Sequence, residues 1–327
     1  MRDVAVDIEV ITEALALACR APSLFNSQPW RWVSEGAVVS LFLDDARAPR
    51  YTDTTGRELV ISCGIVLDHF RVAMAAAGWK CNVDRFPNPN NRDHLASIDF
   101  SAMDFVTDAH RQRAEAIARR RTDRLPFAAP PDWESFLAQL SSGTAQGSVS
   151  LHTIADGSRP ELVKASELTR SARRYDSKYH AELIGWTADV AVAEGIPTGT
   201  LLSEAESDRV DIGRDFPTAG HRDRRGEIAQ DHAKVVVLST VDDTRDGFVR
   251  CGEMLSSLLL DATMAGLATC VLSHLTEVPE SRRIVESLTG SQAVPQVVVR
   301  VGSAPSGDAI GSPTPRRPVA DVLEIRG

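Results

Sequence analysis

Several features that define common classes of protein are missing from this sequence. Lysine and arginine (36 residues) are outnumbered by aspartate and glutamate (45), which gives a formal net charge of −9. A nucleic-acid-binding protein needs a broad positive surface to neutralise phosphates, so we expect no nucleic-acid partner. The N-terminus lacks the basic start and long apolar stretch of a secretory signal, and the most apolar later segment, 255–272, contains Asp261. We therefore expect no export and no membrane span.

Cysteine and histidine are sparse and are not spaced for metal binding. The five cysteines include no CxxC pair, and the eight histidines include no HExxH motif. We therefore predict reduced thiols, no metal site and a cytoplasmic location. The motifs GxxxxGK[ST], GxSxG and GxGxxG are missing too. If a nicotinamide cofactor takes part in the function, a Rossmann fingerprint does not hold it.

What the sequence does contain is a globular composition and an internal repeat. Its 327 residues, 43% hydrophobic and 25% charged, are enough for one large domain or two ordinary ones. The segments Cys63–Gly78 and Cys251–Gly266 share Cys, Gly, Leu, Ala and Gly at the same spacing. Each segment predicts a long, nearly all-apolar helix that ends at its last glycine.

Strand candidates flank both predicted helices. The runs that precede the helices are Val38–Leu43 and Val235–Thr240, and those that follow are Leu95–Phe100 and Gln296–Val301. These apolar, mostly β-branched runs are typical of strands. Both parts of the chain therefore predict the same order of strand, helix and strand, in an α+β fold.

The two predicted helices are apolar on nearly every side, so each must be covered on every side, and they could cover each other. We therefore predict two fused halves, 1–110 and 111–327, that form a pseudo-dimer within one chain and leave it a monomer. The repeat alone leaves a second interpretation open, because two unrelated buried helices could share Leu, Ala and Gly.

A polar loop follows the first predicted helix, Ile8–Cys19, for which Asp7 is the expected N-cap. The loop, residues 21–30, reads APSLFNSQPW and is dense in side-chain amides and hydroxyls. Such groups suit a ligand rich in carbonyls and ring nitrogens. They are equally typical of a loop whose Ser and Asn cap turns and whose Trp packs in the core.

A basic stretch lies between the two predicted halves of this acidic chain. Its arginines are Arg111, Arg113, Arg119, Arg120, Arg121 and Arg124. An arginine fork donates two parallel hydrogen bonds to phosphate oxygens and keeps its charge, so the stretch predicts a phosphate site. A solvated helix face or a nucleic-acid contact would also explain it. The sequence PRRP at 315–318 supplies a second basic pair, which alone would be an unstructured tail.

Three motifs taken together resemble the flavin-dependent nitroreductase superfamily: APSxxNxQPW in the first half, RRTDRxPF from Arg120 to Phe127, and PRRP near the end. More narrowly, the chain resembles the Acg-like NAD(P)H nitroreductases of actinobacteria. Members of the superfamily are usually α+β dimers that hold FMN at their interface. The resemblance implies an FMN-binding oxidoreductase, in which hydride passes from NADPH or NADH to FMN N5 and electrons then pass to a small nitroaromatic or quinone-like acceptor.

The resemblance also implies which residues contact the cofactor. Those assigned to the phosphate and the ribityl chain are Arg120, Thr122 and Arg124, at the opening of the second half. Those assigned to the loop that reaches the flavin from the opposite protomer are Pro22, Ser23, Asn26 and Gln28. Because each motif occurs once, and in different halves, the resemblance implies one FMN per chain.

Two further pairs follow from the same resemblance. Ser273 and His274 match the loop that places backbone donors near flavin N5, and Arg316 and Arg317 match a basic pair that helps to hold the phosphate. A donor near N5 favours the reduced flavin. His274 could instead be a loop histidine with a capping role. No catalytic side chain is assigned, because the flavin supplies the chemistry.

The segment from about 160 to 231 is longer than a second half needs and predicts a mobile cover that could seal the flavin. We call it the cover segment. If the cover blocks the nicotinamide, the protein stores or sequesters FMN without turnover. A covered, non-catalytic FMN-binding protein is therefore the alternative function.

Overall fold

The computed structural model describes residues 6–144, 148–189, 193–305 and 313–326. The helices in those residues are α1 (Ile8–Ala18), α2 (Arg57–Ala76), α3 (Asp108–Arg119), α4 (Trp133–Thr144), α5 (Arg159–Arg173), α6 (Ser177–Trp186), α7 (Glu204–Ser207), α8 (Arg245–Met264) and α9 (Pro279–Thr289). The strands are β1 (Trp30–Glu35), β2 (Val38–Leu43), β3 (Trp79–Arg85), β4 (His94–Ala102), β5 (Val149–Ile154), β6 (Lys234–Thr240), β7 (Ala268–Leu272), β8 (Val294–Gly302) and β9 (Leu323–Arg326). The predicted α+β class is confirmed.

The strands form two sheets, one from each part of the chain. The first has the order β3-β4-β2-β1-β9, and the second has the order β5-β6-β8-β7. Neighbouring strands are antiparallel except for β9, which runs parallel to β1. The last strand thus returns to the sheet of the first part, with Trp32 opposite Leu323. The predicted division at 110/111 assigns those last residues to the second half.

Helices α2 and α8 pack against each other between the two sheets. They are closest at Gly64 and Gly252, the two glycines of the repeat. A Cβ atom on Gly64 would overlap the carbonyl oxygen of Val249, and one on Gly252 would overlap that of Ile61. Only glycine permits this approach of the two backbones. The contacts are reciprocal, because Ile61 and Val249 occupy equivalent positions in the repeat.

One apolar core extends across both sheets and this helix pair. By length and composition α2 passes the test for a membrane-crossing helix, yet 72% of its most apolar window is buried inside the protein. Its buried neighbours include Trp32 and Leu255, each at most 1% exposed. Helix α2 therefore occupies the position of a core helix.

The short-range predictions agree well with the elements. Asp7 caps α1, accepting a 3.0 Å hydrogen bond from the Glu9 amide. Strand β2 has the predicted bounds, and the other three predicted strands lie within β4, β6 and β8. Both long helices end just before a glycine with positive φ, 90° at Gly78 and 73° at Gly266. Glycine has no side chain and adopts this left-handed conformation easily, so each helix ends there as expected.

The cover segment folds into α5, α6, α7 and a long irregular stretch; residues 190–192 lie outside the described residues. It contacts the polar loop of the first half through a small apolar cluster that joins Phe25 to Tyr179, Leu183, Ile196 and Leu201. The cover segment therefore packs onto the loop that follows α1.

Candidate active site

A cavity lies where the polar loop, the helix pair, the second sheet and the cover segment meet. We call it the inner cavity; it encloses about 1150 Å³ including its mouth. Ile61 and Ile65 of α2 and Leu255 of α8 give it an apolar wall, and residues 270–274 form another side. Binding cavities for small molecules are lined mostly by apolar side chains with a few polar groups. The inner cavity has a lining of this kind.

An arginine-lined chamber opens from one end of the inner cavity. Both are lined by Pro22, Ser23, Thr122 and Arg124, so the two spaces adjoin each other. The arginines that line the chamber are Arg20, Arg120, Arg121, Arg124 and Arg316, which we call the arginine cluster. In the described part of the chain, no carboxylate lies within 4.0 Å of any of these five guanidinium groups.

Local folding explains how distant arginines meet in this chamber. Helix α3 ends at Arg119, and the chain then runs beside the start of β7, where the Asp123 amide donates a 2.9 Å hydrogen bond to the Thr269 carbonyl. Arg316 reaches the same place from the C-terminal region. Its guanidinium donates to the carbonyl oxygens of Arg20 and Ala21, at 3.2 and 3.3 Å.

The arginine cluster is electrostatically unfavourable as it stands. Burial, followed by repulsion from Arg121 and Arg20, lowers the pKa of Arg120 to about 9. Burial and the charge of Arg120 likewise lower the pKa of Arg316 to about 9. The buried Nε atoms of Arg120, Arg121 and Arg316 have no hydrogen-bond partner among the described residues. These residues therefore fit an anion with several acceptor oxygens, such as a phosphate.

The polar loop takes an unusual backbone path beside the chamber. Phe25, Asn26 and Gln28 have positive φ angles of 51°, 57° and 50°. Such non-glycine conformations persist where the surroundings enforce them, and they concentrate at functional sites. Here the Asn26 amide donates to the carbonyl oxygens of Gly195, at 3.1 Å, and Pro315, at 3.2 Å. The loop is thus fixed from both the cover segment and the C-terminal region.

Gln28 acts as a buried brace in the structure rather than a wall of either cavity. Its side-chain amide donates to the Ala193 carbonyl at 2.7 Å, and its Oε1 accepts from the Arg317 amide at 2.9 Å. Arg317 lies outside both cavities as well, with its guanidinium 3.9 Å from the Asp44 carboxylate. The cofactor contacts that the resemblance implies for Gln28 and Arg317 stay predictions.

Ser273 and His274 line the inner cavity but not the arginine-lined chamber. They lie at the start of a short 3-10 helix, whose first backbone N–H groups have no partner within the helix. His274 Nε2 is 2.9 Å from Ser166 Oγ, while its Nδ1 is buried without a partner among the described residues. Burial, with the charges of Arg214 and Arg170, lowers the pKa of His274 well below its usual value. The imidazole is therefore neutral.

The structure thus brings most of the predicted contact residues together. Those that line the inner cavity or the chamber are Pro22, Ser23, Asn26, Arg120, Thr122, Arg124, Ser273, His274 and Arg316. Gln28 and Arg317 support this set from outside. The hydrogen bond between Gln28 and Arg317 joins the polar loop to the C-terminal region.

Sequence reasoning missed four charged residues that line these cavities, which are Arg20, Glu58, Arg214 and Arg300. Arg20 lies next to the polar loop, and its positive charge was the available signal, whereas Arg121 belongs to the predicted basic stretch. Arg214 and Glu58 carried no such signal. Arg214 comes from the cover segment, forms an ion pair with Glu277 and donates to Ser273 Oγ at 2.8 Å. Glu58 is on the first turn of α2.

The fold and the site together define a protein suited to a ligand with an apolar body and an anionic end. No protein-family model matches the chain. It is 57% identical over 326 residues to the Mycobacterium tuberculosis protein named as the NAD(P)H nitroreductase acg, covering 100% of this chain and 98% of that protein. It is 35% identical over 321 residues to a second M. tuberculosis protein named as an NAD(P)H nitroreductase, covering 97% and 92%.

The chain therefore belongs to the Acg-like family of NAD(P)H nitroreductases, as the motifs predicted. Among solved structures, the FMN-dependent nitroreductase NfnB of Mycobacterium smegmatis in complex with NADPH is 17% identical to it. That match has a TM-score of 0.41 and covers 66% of this chain and 99% of the other.

Proposed function

We propose that this chain binds one FMN across the arginine chamber and the inner cavity and works as an NAD(P)H-dependent oxidoreductase. The bound flavin supplies the redox chemistry, taking hydride at N5 from NADPH or NADH and passing electrons to a small nitroaromatic or quinone-like acceptor. Family membership supports the class of reaction. The arginine cluster supports a cofactor that carries an anionic phosphate.

The observation that carries this proposal is the arginine cluster that lacks carboxylate partners and opens into an apolar cavity. Arg120, Arg124 and Arg316 would hold the phosphate, with Arg20 and Arg121 completing the positive field. Thr122 lines both the chamber and the inner cavity, the place for a polar chain that joins phosphate to ring. The apolar wall of Ile61, Ile65 and Leu255 would exclude water from the ring.

The same geometry supports two fused halves and a single flavin. The reciprocal contact at Gly64 and Gly252 is the kind that a symmetric dimer makes. Ile65, which lines the inner cavity, corresponds in the repeat to Glu253. Glu253 accepts hydrogen bonds from Arg85, at 2.7 and 3.1 Å, so an ion pair occupies the place where a second cavity would lie.

The proposal is tested with the visible spectrum and the flavin content of the purified protein. We expect FMN absorbance, about one FMN released per chain, and anaerobic bleaching by NADPH or NADH. We also expect light scattering to show a monomer, and we expect the protein to be located in the cytosol. Protein that neither contains nor binds FMN would refute the proposal, and two FMN per chain would refute the single site.

Contacts of the cover segment favour a second candidate, an FMN-sequestering protein. Asn26 and Gln28 both bond to carbonyl oxygens of the cover, and Arg47 forms an ion pair with Glu194. A cover held this firmly would keep a nicotinamide from the ring. In that case dithionite, which is small, bleaches the flavin, whereas NADPH and NADH do not.

A further inference from the structure

A second depression borders the N-terminal turn of α2. We call this depression the outer groove; Asp53, Arg57, Thr276 and Glu277 line it. Glu58 lines both the inner cavity and the outer groove. It is the first acidic side chain of α2 and is 5% exposed. The two spaces therefore share one acidic residue in their lining.

The hydrogen bonds around Glu58 leave its carboxyl group largely unsatisfied. Its Oε1 is 3.4 Å from an Arg57 Nη atom, whereas the same guanidinium donates to the Thr276 carbonyl and hydroxyl at 3.0 and 2.9 Å. Oε2 of Glu58 is buried and has no partner among the described residues. Glu277 is paired with Arg214 instead. Among the described residues, Glu58 therefore has a single ion pair, its long contact with Arg57.

The protonated form of Glu58 is the stable one at neutral pH. Burial, together with the negative charges of Glu277 and Asp53, raises the pKa of Glu58 to about 8, and the opposing effects of Arg57 and Arg214 are smaller. The pKa values of two other titratable groups of the inner cavity are shifted away from neutrality. Burial raises the pKa of Cys270, and the pKa of His274 is lowered well below its usual value.

A two-electron reduction in a closed cavity needs a source of protons. Converting a quinone to a hydroquinone adds two electrons and two protons. Hydride transfer to the quinone would supply both electrons and one proton and would leave a hydroquinone anion. One proton must still reach the oxygen of that anion.

We propose that Glu58 delivers this proton from the outer groove to an acceptor bound in the inner cavity. The O–H bond of the Glu58 carboxyl breaks as the O–H bond of the hydroquinone forms, and the carboxylate regains a proton from water in the outer groove. The proposal rests on the proposed oxidoreductase function and adds the proton path of the same site.

The kinetic test uses FMN-loaded protein that has been reduced with dithionite, so it does not require NADPH or NADH to reach the flavin. The reduced protein is mixed anaerobically with a benzoquinone, and recovery of the flavin absorbance is followed in a stopped-flow instrument. The wild-type rate should fall as the pH rises through about 8. Glu58→Gln should be slower by about a hundredfold, the size of a general-acid effect, and independent of pH in this window.

Glu134→Gln is the matched control, because Glu134 is an exposed acid on the first turn of α4. Its rate and pH profile should equal those of the wild type. A Glu58→Gln profile that matches the wild type would overturn the proposal. If Glu58→Gln does not fold, a wild-type rate that stays constant through pH 8 would overturn it equally.

A second measurement does not depend on turnover. The infrared difference spectrum of wild type minus Glu58→Gln at neutral pH should contain the carbonyl band of a protonated carboxylic acid. A difference that contains only ionised carboxylate bands contradicts the proposal. If NADPH fails to bleach the flavin while both Glu58 results hold, the proposed use of NADPH fails and the proton path stands.

The linkage between protonation and folding gives an independent check in ligand-free protein. The folded pKa of Glu58 is about 8 and its reference value is 4.5, so between these pH values the folded state holds a proton that the unfolded state releases. Wild-type stability should therefore fall relative to Glu58→Gln as the pH rises from 4.5 to about 8. A parallel pH dependence of the two proteins would contradict a protonated Glu58.

Discussion

Two buried groups of arginines in this protein differ in one respect, which is the presence of carboxylates. In the first group, Arg300 and Arg159 surround Asp231, with both contacts at 2.5 Å, and Arg159 also pairs with Asp211 at 2.7 Å. We call this the Asp231 cluster. The arginine cluster of the chamber has no such partner in the described chain. Buried charges are ordinarily paired, so the second group is the exception and is suited to an anionic ligand.

The electrostatic consequences of the two arrangements are opposite. Burial alone would lower the pKa of Arg159, but hydrogen bonds and charge from Asp211 and Asp231 outweigh it and raise that pKa. In the chamber, burial and neighbouring cations act together and lower the pKa of Arg120 to about 9. The Asp231 cluster stabilises the fold without help. The arginine cluster becomes favourable only when an anion occupies it.

Breaking the Asp231 cluster should have the largest effect on stability. Asp231→Asn leaves Arg300, whose side chain is 1% exposed, buried without a charged partner. Loss of one partner from a buried pair costs about 3–5 kcal/mol, which urea unfolding would measure. Asp108→Asn is the control, because Asp108 pairs with Arg111 on an exposed helix face and should change stability by less than about 0.5 kcal/mol. A loss below about 1 kcal/mol for Asp231→Asn would remove the contrast between the two groups.

Supplying an anion should stabilise the arginine cluster. We expect inorganic phosphate to raise the unfolding free energy of flavin-free protein by about 1–3 kcal/mol at concentrations well above its dissociation constant. The gain should be at least halved in Arg120→Ala and in Arg316→Ala, measured at equal ionic strength with chloride as the reference salt. An equal gain in the variants and the wild type would mean that phosphate acts elsewhere.

Removing a cluster arginine should have the smallest effect on the flavin-free protein. Arg120→Ala deletes a guanidinium that Arg121 and Arg20 repel, so its loss of stability in phosphate-free buffer should stay within about 1 kcal/mol. A loss as large as that expected for Asp231→Asn would show that Arg120 holds the fold together. Urea unfolding of the two variants side by side decides this.

Much of the fold could be predicted because its signals are local. Strand β2, the Asp7 cap and the glycine stops depend on neighbours in the chain, and all were predicted correctly. The return of β9 to the first sheet could not be predicted, because four residues, three of them exposed, contain no information about a partner strand far away in sequence. The repeat predicted that α2 and α8 meet. It did not predict that Gly64 and Gly252 are the crossing point.

The site residues likewise divide into those that a sequence motif predicted and those that only the folded structure reveals. Arg120, Thr122 and Arg124 carried a motif, and they do line the cavities. Glu58 and Arg214 become site residues only through tertiary burial, which a sequence pattern does not encode. Gln28 was assigned to the ligand through the family resemblance, and that contact stays a prediction. In the folded chain its side chain bonds to Ala193 and Arg317, since the cover segment and the C-terminal region converge on it.

The most direct test of the central claim is a comparison of FMN with riboflavin, which lacks the phosphate. Both are titrated into flavin-free wild type, Arg120→Ala, Arg124→Ala and Arg111→Ala. Each charge-assisted contact is worth about 1.5–3 kcal/mol, so Arg120→Ala and Arg124→Ala should each weaken FMN roughly tenfold to a hundredfold and leave riboflavin unchanged. Arg111 is exposed on α3, and its variant should bind both as the wild type does. Equal weakening of FMN and riboflavin, or a loss with Arg111→Ala as large as with Arg124→Ala, would contradict a phosphate site at the arginine cluster.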